Sequence, residues 1–352
     1  MDVKYLEKWI QSPIPGRRRK AIRLLTRYAN NNKYDTGKIL KHIKNALADE
    51  NWAVRATAVS CMTDLALKNR DIGKDIIKIL MKRLDEEDHS NVKGNILRCI
   101  SYIVDKYEVD ILDDLYRVGL ATIDDLNNDV KHGSIMLLTS IGLRGEKYLD
   151  EIASRLKEIF GDLPPLLKRD VLRSVRKLYL KYPKKLSTIT IDISLDSLKD
   201  DSYMARVEAL NNLSYLIQND DIKTTDEIIS IIRKRLRDPK DAVKIAAIET
   251  INAILDKDAD LVDNFMDIIT NEILLRSRNI RLKINTLRCL LKHIDKISKD
   301  IVNRHNLPRV LDILEFNTVP KNEGLGLVKN LARTLLEEKL GYSYEERLRL
   351  RR

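Results

Sequence analysis

Aromatic residues make up only 5% of this 352-residue chain, with two tryptophans, Trp9 and Trp52, and three phenylalanines. That scarcity argues against a continuous track for single-stranded nucleic acid, which wants stacking rings along an unbroken groove. Three cysteines, Cys61, Cys99 and Cys289, are too few for a disulfide framework and read as small core residues. None of the five histidines stands near another histidine or a cysteine at metal-ligand spacing. There is no glycine-rich phosphate loop, no G-x-S-x-G elbow and no H-E-x-x-H. The sequence therefore offers no catalytic residues, no metal ligands and no cofactor site, and a non-enzyme is expected. No run approaches the length of an apolar span, so no membrane segment is expected. The opening MDVKYLEKWI lacks the apolar core of a signal peptide, and a cytoplasmic protein is the expectation. Glutamine is nearly missing, at Gln11 and Gln218 only, in a chain rich in Lys, Ile and acids, a composition that fits a thermophile.

What is present is a repeat. A Val-Arg-like pair recurs, and its basic member falls at Arg18, Arg55, Lys93, Lys131, Lys168, Arg206, Lys244 and Arg281. Successive anchors are 37 or 38 residues apart, and a weaker ninth copy lies near Lys321. Three residues after the anchor come Ala21, Ala58, Ile96, Ser134, Val171, Ala209, Ala247 and Ile284. Seven after it come Leu25, Met62, Ile100, Leu138, Val175, Leu213 and Ile251. Ten after it are mostly Leu and Ile. Offsets of 3, 7 and 10 put these side chains on one face of a helix. Apolar columns 16 and 12 before the anchor, such as Ile39 and Ile43, mark a preceding helix.

Between the two helices an acid recurs six before the anchor, at Asp49, Asp125, Asp162, Asp200 and Asp238. An acid there can cap the second helix or meet a basic side chain of the same or next repeat. Pro13, Pro15, Pro164, Pro165, Pro239 and Pro320 fall in the same turn, where proline starts a helix without losing a hydrogen bond. The pattern gives an all-α fold of eight to nine antiparallel helix pairs. The repeats span about 2–30, 35–69, 72–107, 109–145, 147–182, 184–219, 224–257, 259–297 and 300–340. They form one array over 1–340, with a basic tail at 341–352. Repeat 6 is the weakest: its first helix reads LSTITIDISLDSL, whose alternation looks like a strand by local propensity. The column spacing on both sides makes it a helix, and the likeliest site of a bend or irregularity. Repeat 9 carries Pro308 within its first helix.

The period, the turn aspartate, the Val-Arg opening and the small residue three further on resemble the HEAT-repeat family, an armadillo-like α superhelix. Leu236–Ala247, LRDPKDAVKIAA, is the most similar single copy. The resemblance covers nearly the whole chain and implies a scaffold, adaptor, transport receptor or subunit of a larger machine. It also implies that the second helices line a concave face.

Net charge is +11, so the placement of the basic residues decides what they mean. Positions pointing away from the core carry Arg19, Arg23 and Arg27 in repeat 1. In repeat 5 they carry Arg169, Arg173, Arg176 and Lys177. Elsewhere these positions are mostly neutral, with Arg98 the exception. Two basic islands suit an acidic or helical protein segment held at two points. They also suit a bent duplex touched twice, with help from the arginines of the tail. A DNA glycosylase of HEAT-like architecture is a third reading, and it needs a pocket holding a tryptophan beside a carboxylate.

Overall fold

The computed structural model describes residues 2–350, and among them every regular element is helical. Repeat 1 is α1 (Val3–Ile10) and α2 (Pro15–Asn30), repeat 2 is α3 (Thr36–Ala46) and α4 (Trp52–Ala66), and repeat 3 is α5 (Arg70–Glu86) and α6 (Ser90–Lys106). Repeat 4 is α7 (Leu112–Thr122) and α8 (Asn128–Arg144), and repeat 5 is α9 (Leu149–Ile159) and α10 (Pro165–Lys181). Then come α11 (Pro183–Ser197) with α12 (Tyr203–Gln218), and α13 (Asp226–Leu236) with α14 (Asp241–Leu255). Repeat 8 pairs α15 (Asp263–Ile268) with α16 (Ile280–His293). Last come α17 (Lys299–Arg304), α18 (Leu307–Asn317), α19 (Glu323–Arg333) and α20 (Tyr344–Leu350). The chain falls into two compact units, Met1–Leu186 and Ser187–Arg352.

Local chemistry sets these boundaries. Pro15, Pro165 and Pro183 open their helices, where a missing N–H costs nothing. Asn51 and Asn127 accept from the second backbone N–H beyond them, and Asp35, Ser202 and Asn279 from the third. The apolar columns are the core. Ala21, Ala58, Ile96, Ser134, Val171, Ala209 and Ala247 are fully buried, as are Leu25, Met62, Ile100, Leu138, Leu213 and Ile251. Each buried aliphatic side chain contributes about 1.5–3 kcal/mol. In the first unit α2, α4, α6, α8 and α10 stack in sequence, and in the second α12, α14 and α16 do the same.

The tightest of these contacts is α6 on α8, which two glycines permit. A Cβ on Gly94 would stand 2.5 Å from the Asp129 carbonyl oxygen. One on Gly133 would stand 2.7 Å from Leu97 Cβ and 2.8 Å from the Gly94 oxygen. Gly133→Ala should therefore lower stability by about 1–3 kcal/mol, despite alanine's better helix propensity. Urea unfolding would show this. Gly16→Ala, whose added Cβ meets nothing within 4 Å, is the matched control.

Three places differ in detail from the sequence-based expectation. The α11 stretch is the helix that its column spacing predicts, but a regular one, without the bend or irregularity expected there. Thr190, Ile193, Ser194 and Ser197 turn inward with helical spacing. The inward hydroxyls are satisfied there: Asn212 donates to Ser194 Oγ at 3.2 Å, and Ser197 bonds back to the Ile193 carbonyl. In repeat 9, Pro308 does not interrupt a helix but starts one. The first helix is split into α17 and α18, with Asn306 at φ +50 between them.

In repeat 8 the first helix is assembled from a 3-10 turn, α15 and a π-helical segment, Ile269–Arg276. The register of the second helix then shifts by two residues. In repeats 1 to 7 the second helix has its anchor four after its cap, as Arg55 follows Asn51 and Lys244 follows Lys240, whereas Lys321 of repeat 9 lies just before its cap Asn322. Asn279 caps α16, so Lys283 holds the anchor position and Arg281 lies exposed. Burial agrees. Thr286 and Leu290 are core at offsets 3 and 7, whereas Ile284 is half-buried and Arg288 exposed. Cys289 then stands six after Lys283, as Cys61 and Cys99 stand six after Arg55 and Lys93.

Candidate functional site

The anchors and turn acids build a polar ladder along the second helices. Arg18 donates from Nε and Nη2 to both oxygens of Asp49 at 2.8 and 2.7 Å, and from Nη1 to the Ser12 carbonyl. Arg55 repeats this with Glu87 and the Asp49 carbonyl, and Arg206 with Asp238 and the Asp200 carbonyl. Each guanidinium thus ties its own turn to the acid of the next one. The planar fork of arginine suits two carboxylate oxygens and a carbonyl at once. The acids do not cap the second helix themselves. Each accepts from the backbone N–H two residues on and so shapes the turn, as Asp49 does for Asn51, Asp125 for Asn127, Asp200 for Ser202 and Asp238 for Lys240. Glu87 fills this place in repeat 3, where it accepts from the His89 N–H. Asp162 lies exposed at the end of a 3-10 turn.

Lysine anchors make no such fork. Lys244 turns to Asp241 of its own repeat at 3.3 Å, and Lys168 sits 5.5 Å over the Phe160 ring. Lys93 and Lys131 form no ion pair among the described residues. Burial pushes the Lys283 ammonium below its ordinary value, as a cation without a carboxylate demands.

A second ladder runs thirteen residues after the anchor, unseen in a search for apolar columns. Lys68 donates to the Asn30 carbonyl at 2.8 Å, and Arg144 to the carbonyls of Val104 and Asp105. Lys106 reaches the Leu67 carbonyl, Lys181 the Leu143 carbonyl and Lys257 the Asp220 carboxylate. Each cation covers the carbonyl-rich end of the preceding second helix, where the helix dipole favours positive charge. These residues account for part of the surplus positive charge without any partner.

The exposed faces of the second helices hold the rest. Arg19 is half-buried and donates to Thr57 Oγ1 at 3.1 Å. Arg23 and Arg27, one helical turn apart on α2, are exposed and form no ion pair among the described residues. They line a cavity of about 360 Å³ with Asn30, Asn31, Ser60 and Asp64. Burial raises the Asp64 carboxyl above its ordinary value, against the pull of Lys68.

In the other island Arg169 is paired with Asp170 at 2.9 Å, and Arg173 and Arg176 make contacts of their own. Lys177 is exposed. Arg98, held by Asn95, is not isolated. It lies within electrostatic reach of His132, whose Nε2 is 3.5 Å from Asp170. Burial lowers the His132 pKa, Asp170 opposes this, and Arg98 and Arg169 add to it. Arg98, His132, Asp170 and Arg169 therefore form one mixed-charge cluster across α6, α8 and α10.

The tail is not a free basic arm. Arg347 of α20 is buried against Asp312, Glu315 and Glu337, while Arg351 and Arg352 lie outside the described residues. The thiols are inert, since burial pushes Cys61 up to about 11 and Cys99 and Cys289 to about 12. Trp52 stacks on His89 at 4.4 Å, and Trp9 is approached by Arg17 and Lys20 at 5.6 and 5.7 Å. Among the described residues no group of three or more His, Cys, Asp or Glu is placed to hold a metal, and no helix is long and apolar enough to cross a membrane.

The family model of the adaptin N-terminal region matches residues 5–224, more than half of the chain. The chain belongs to that family. Solved structures extend the likeness of this adaptin-like chain to the karyopherins. Kap95 in its complex with Nup1 superposes with a TM-score of 0.67 at 16% identity, covering 94% of this chain and 45% of Kap95. Kap95p bound to RanGDP gives 0.63 at 16% identity over 96% of this chain and 46% of that one. An engineered protein gives 0.53 at 15% identity, covering 99% and 97%. At these identities the likeness shows the fold, an α solenoid of HEAT repeats. The chain spans less than half the length of these karyopherins. No curated protein matches it.

Proposed function

We propose that this adaptin-like protein is a non-enzymatic scaffold or adaptor that holds an acidic segment of a protein partner on its second helices. The observation that carries this is the pair Arg23 and Arg27, exposed on one face of α2 and engaged by no carboxylate among the described residues. Two arginines one turn apart present ten donors to a carboxylate-bearing chain. Lys177 extends the same kind of exposed surface on α10, while Arg98 on α6 is half-buried within its mixed-charge cluster. Kap95 is known in complexes with Nup1 and with RanGDP, so the same fold elsewhere serves protein partners. A cytoplasmic setting belongs to the same reading.

Nucleic acid is the second reading, favoured by the net charge of +11. Against it, Arg169 is already paired with Asp170, so the second island is not an open row of cations. Arg347 is already committed inside the protein.

Capture of partners from native lysate with the parent and with Arg23→Glu/Arg27→Glu tests the proposal. The parent should retain a protein partner after nuclease treatment, and the charge reversal should lose it at least tenfold. Capture that disappears with nuclease, together with duplex binding that falls steeply with salt, would establish the nucleic-acid reading instead.

A further inference from the structure

The polar ladder has a missing rung between repeats 7 and 8, and we propose that this gap is a binding site for an oxyanion, either a carboxylate or a phosphate group. The molecule itself shows what such a seat holds. At three other junctions a carboxylate lies between the anchor of one repeat and a backbone N–H of the next. Asp49 sits between Arg18 and the Asn51 N–H, Glu87 between Arg55 and the His89 N–H, and Asp238 between Arg206 and the Lys240 N–H. At the 7/8 junction the anchor is Lys244 and the N–H belongs to Asn279, but the residue two before that cap is Ser277. Its hydroxyl accepts from the Asn279 N–H at 3.1 Å and brings no charge.

A cavity of about 450 Å³ opens at this place, lined by Lys244, Arg276, Ser277, Arg278 and Asn279. Two acids also line it, and both are engaged. Asp241 takes Lys244 at 3.3 Å and the Asn279 amide at 2.8 Å, and Glu272 takes Arg237 at 2.6 Å. Arg276 and Arg278 remain, flanking the serine on both sides and forming no ion pair among the described residues. The Asn279 N–H is taken by Ser277 and Lys244 by Asp241, so the free donors are the two guanidinium groups, with no carboxylate between them. An incoming oxyanion supplies that charge, bridging Arg276 and Arg278. This site is independent of the partner surface on α2, so either can fail alone.

The test titrates the full chain with inorganic phosphate and, separately, with acetate at constant ionic strength, following the backbone amide signals of 276–279. Saturable shifts there are expected with at least one of the two, and the tighter one identifies the source. Arg276→Ser/Arg278→Ser should weaken binding roughly tenfold. Ser277→Asp sets a carboxylate between Arg276 and Arg278 from within the chain, so it should abolish anion binding and raise the melting temperature. Absence of saturable shifts with both anions up to tens of millimolar would overturn the proposal. So would a folded Ser277→Asp protein that binds as the parent does.

Discussion

Arg55→Met should cost the first unit about 3 kcal/mol or more, among the largest losses open to a single substitution in this chain. The guanidinium is bound to Glu87, whose side chain is fully buried, and it also satisfies the Asp49 and Glu50 carbonyls. Breaking a buried ion pair from one side typically costs 3–5 kcal/mol, because the remaining charge keeps its desolvation penalty. Arg83, 2.8 Å from Glu87, stays in place and keeps the loss near the lower end of that range. Arg55→Lys should cost about 1–3 kcal/mol, since an ammonium cannot serve both carboxylate oxygens and two carbonyls in one plane. Native-state hydrogen exchange of α4 and α6 reads this locally, which matters in a chain of two units where one global transition need not apply. Adding Glu87→Gln to Arg55→Met should recover a large part of the loss. A change under 1 kcal/mol in Arg55→Met would remove the ladder from the account of stability.

The same rung has a pH signature. Burial alone would raise the Glu87 carboxyl. The bonds from Arg55, the His89 N–H and Arg83 outweigh it and hold the group at about 2 against an ordinary 4.5. A carboxylate depressed in the folded state stabilises fully above its unfolded value and loses that contribution as pH falls toward its folded one. The contribution of this rung should be constant near neutrality and decline between pH 4.5 and about 2. Arg55→Met should flatten that acid limb.

The architecture was legible because one anchor column kept its phase over six intervals, from Arg18 to Lys244, and a helix pair that must bury its face on its neighbours leaves that imprint. The places that misled share a cause: a local feature outvoted by packing. The strand-like alternation of α11 suggested a bend in a stretch that its spacing makes helical, yet it folds as a regular helix because its inward Ser groups find partners. The 37-residue step to Arg281 looked regular, yet the π-helical segment before α16 absorbs two residues and hands the anchor to Lys283. The missing apolar residue seven after Arg281, where Arg288 stands, was the visible sign of that slip.

Charge was less legible than shape. A basic residue stands thirteen after the anchor in repeats 2 to 5 and 7, but its role depends on the layer behind it, which spacing alone does not place. Asp170 lies inside the repeat 5 island in the sequence, yet only the fold sets it between Arg169 and His132. The missing rung is likewise visible only after Ser277 is aligned through its cap rather than through the anchor.

The tail shows how a stretch that reads from its sequence only as a basic tail becomes structural, and it carries the second large prediction. Gly341, at φ +76, ends the preceding helical segment, and Ser343 then caps α20 reciprocally with Glu346, a capping box spelled S-Y-E-E. This aims Arg347 between α18 and the π-helical turn Thr334–Lys339. There its Nε meets Asp312 at 3.1 Å and its Nη groups meet Glu315 and Glu337. Asp312 is 1% exposed and Glu315 6%, so neither carboxylate can recover its hydration if the arginine is removed. Arg333 also meets one oxygen of Glu315, at 3.0 Å. Arg347→Met should destabilise the second unit by about 3–5 kcal/mol, because it strips a cation from two buried carboxylates at once. Exchange of the α18 amides is the direct measurement. Asp312→Asn placed on that background should restore part of the loss, because a neutral amide no longer demands a cation. If α18 in Arg347→Met keeps the protection of the parent, the arginine is a surface charge resting on a terminus that the second unit does not need.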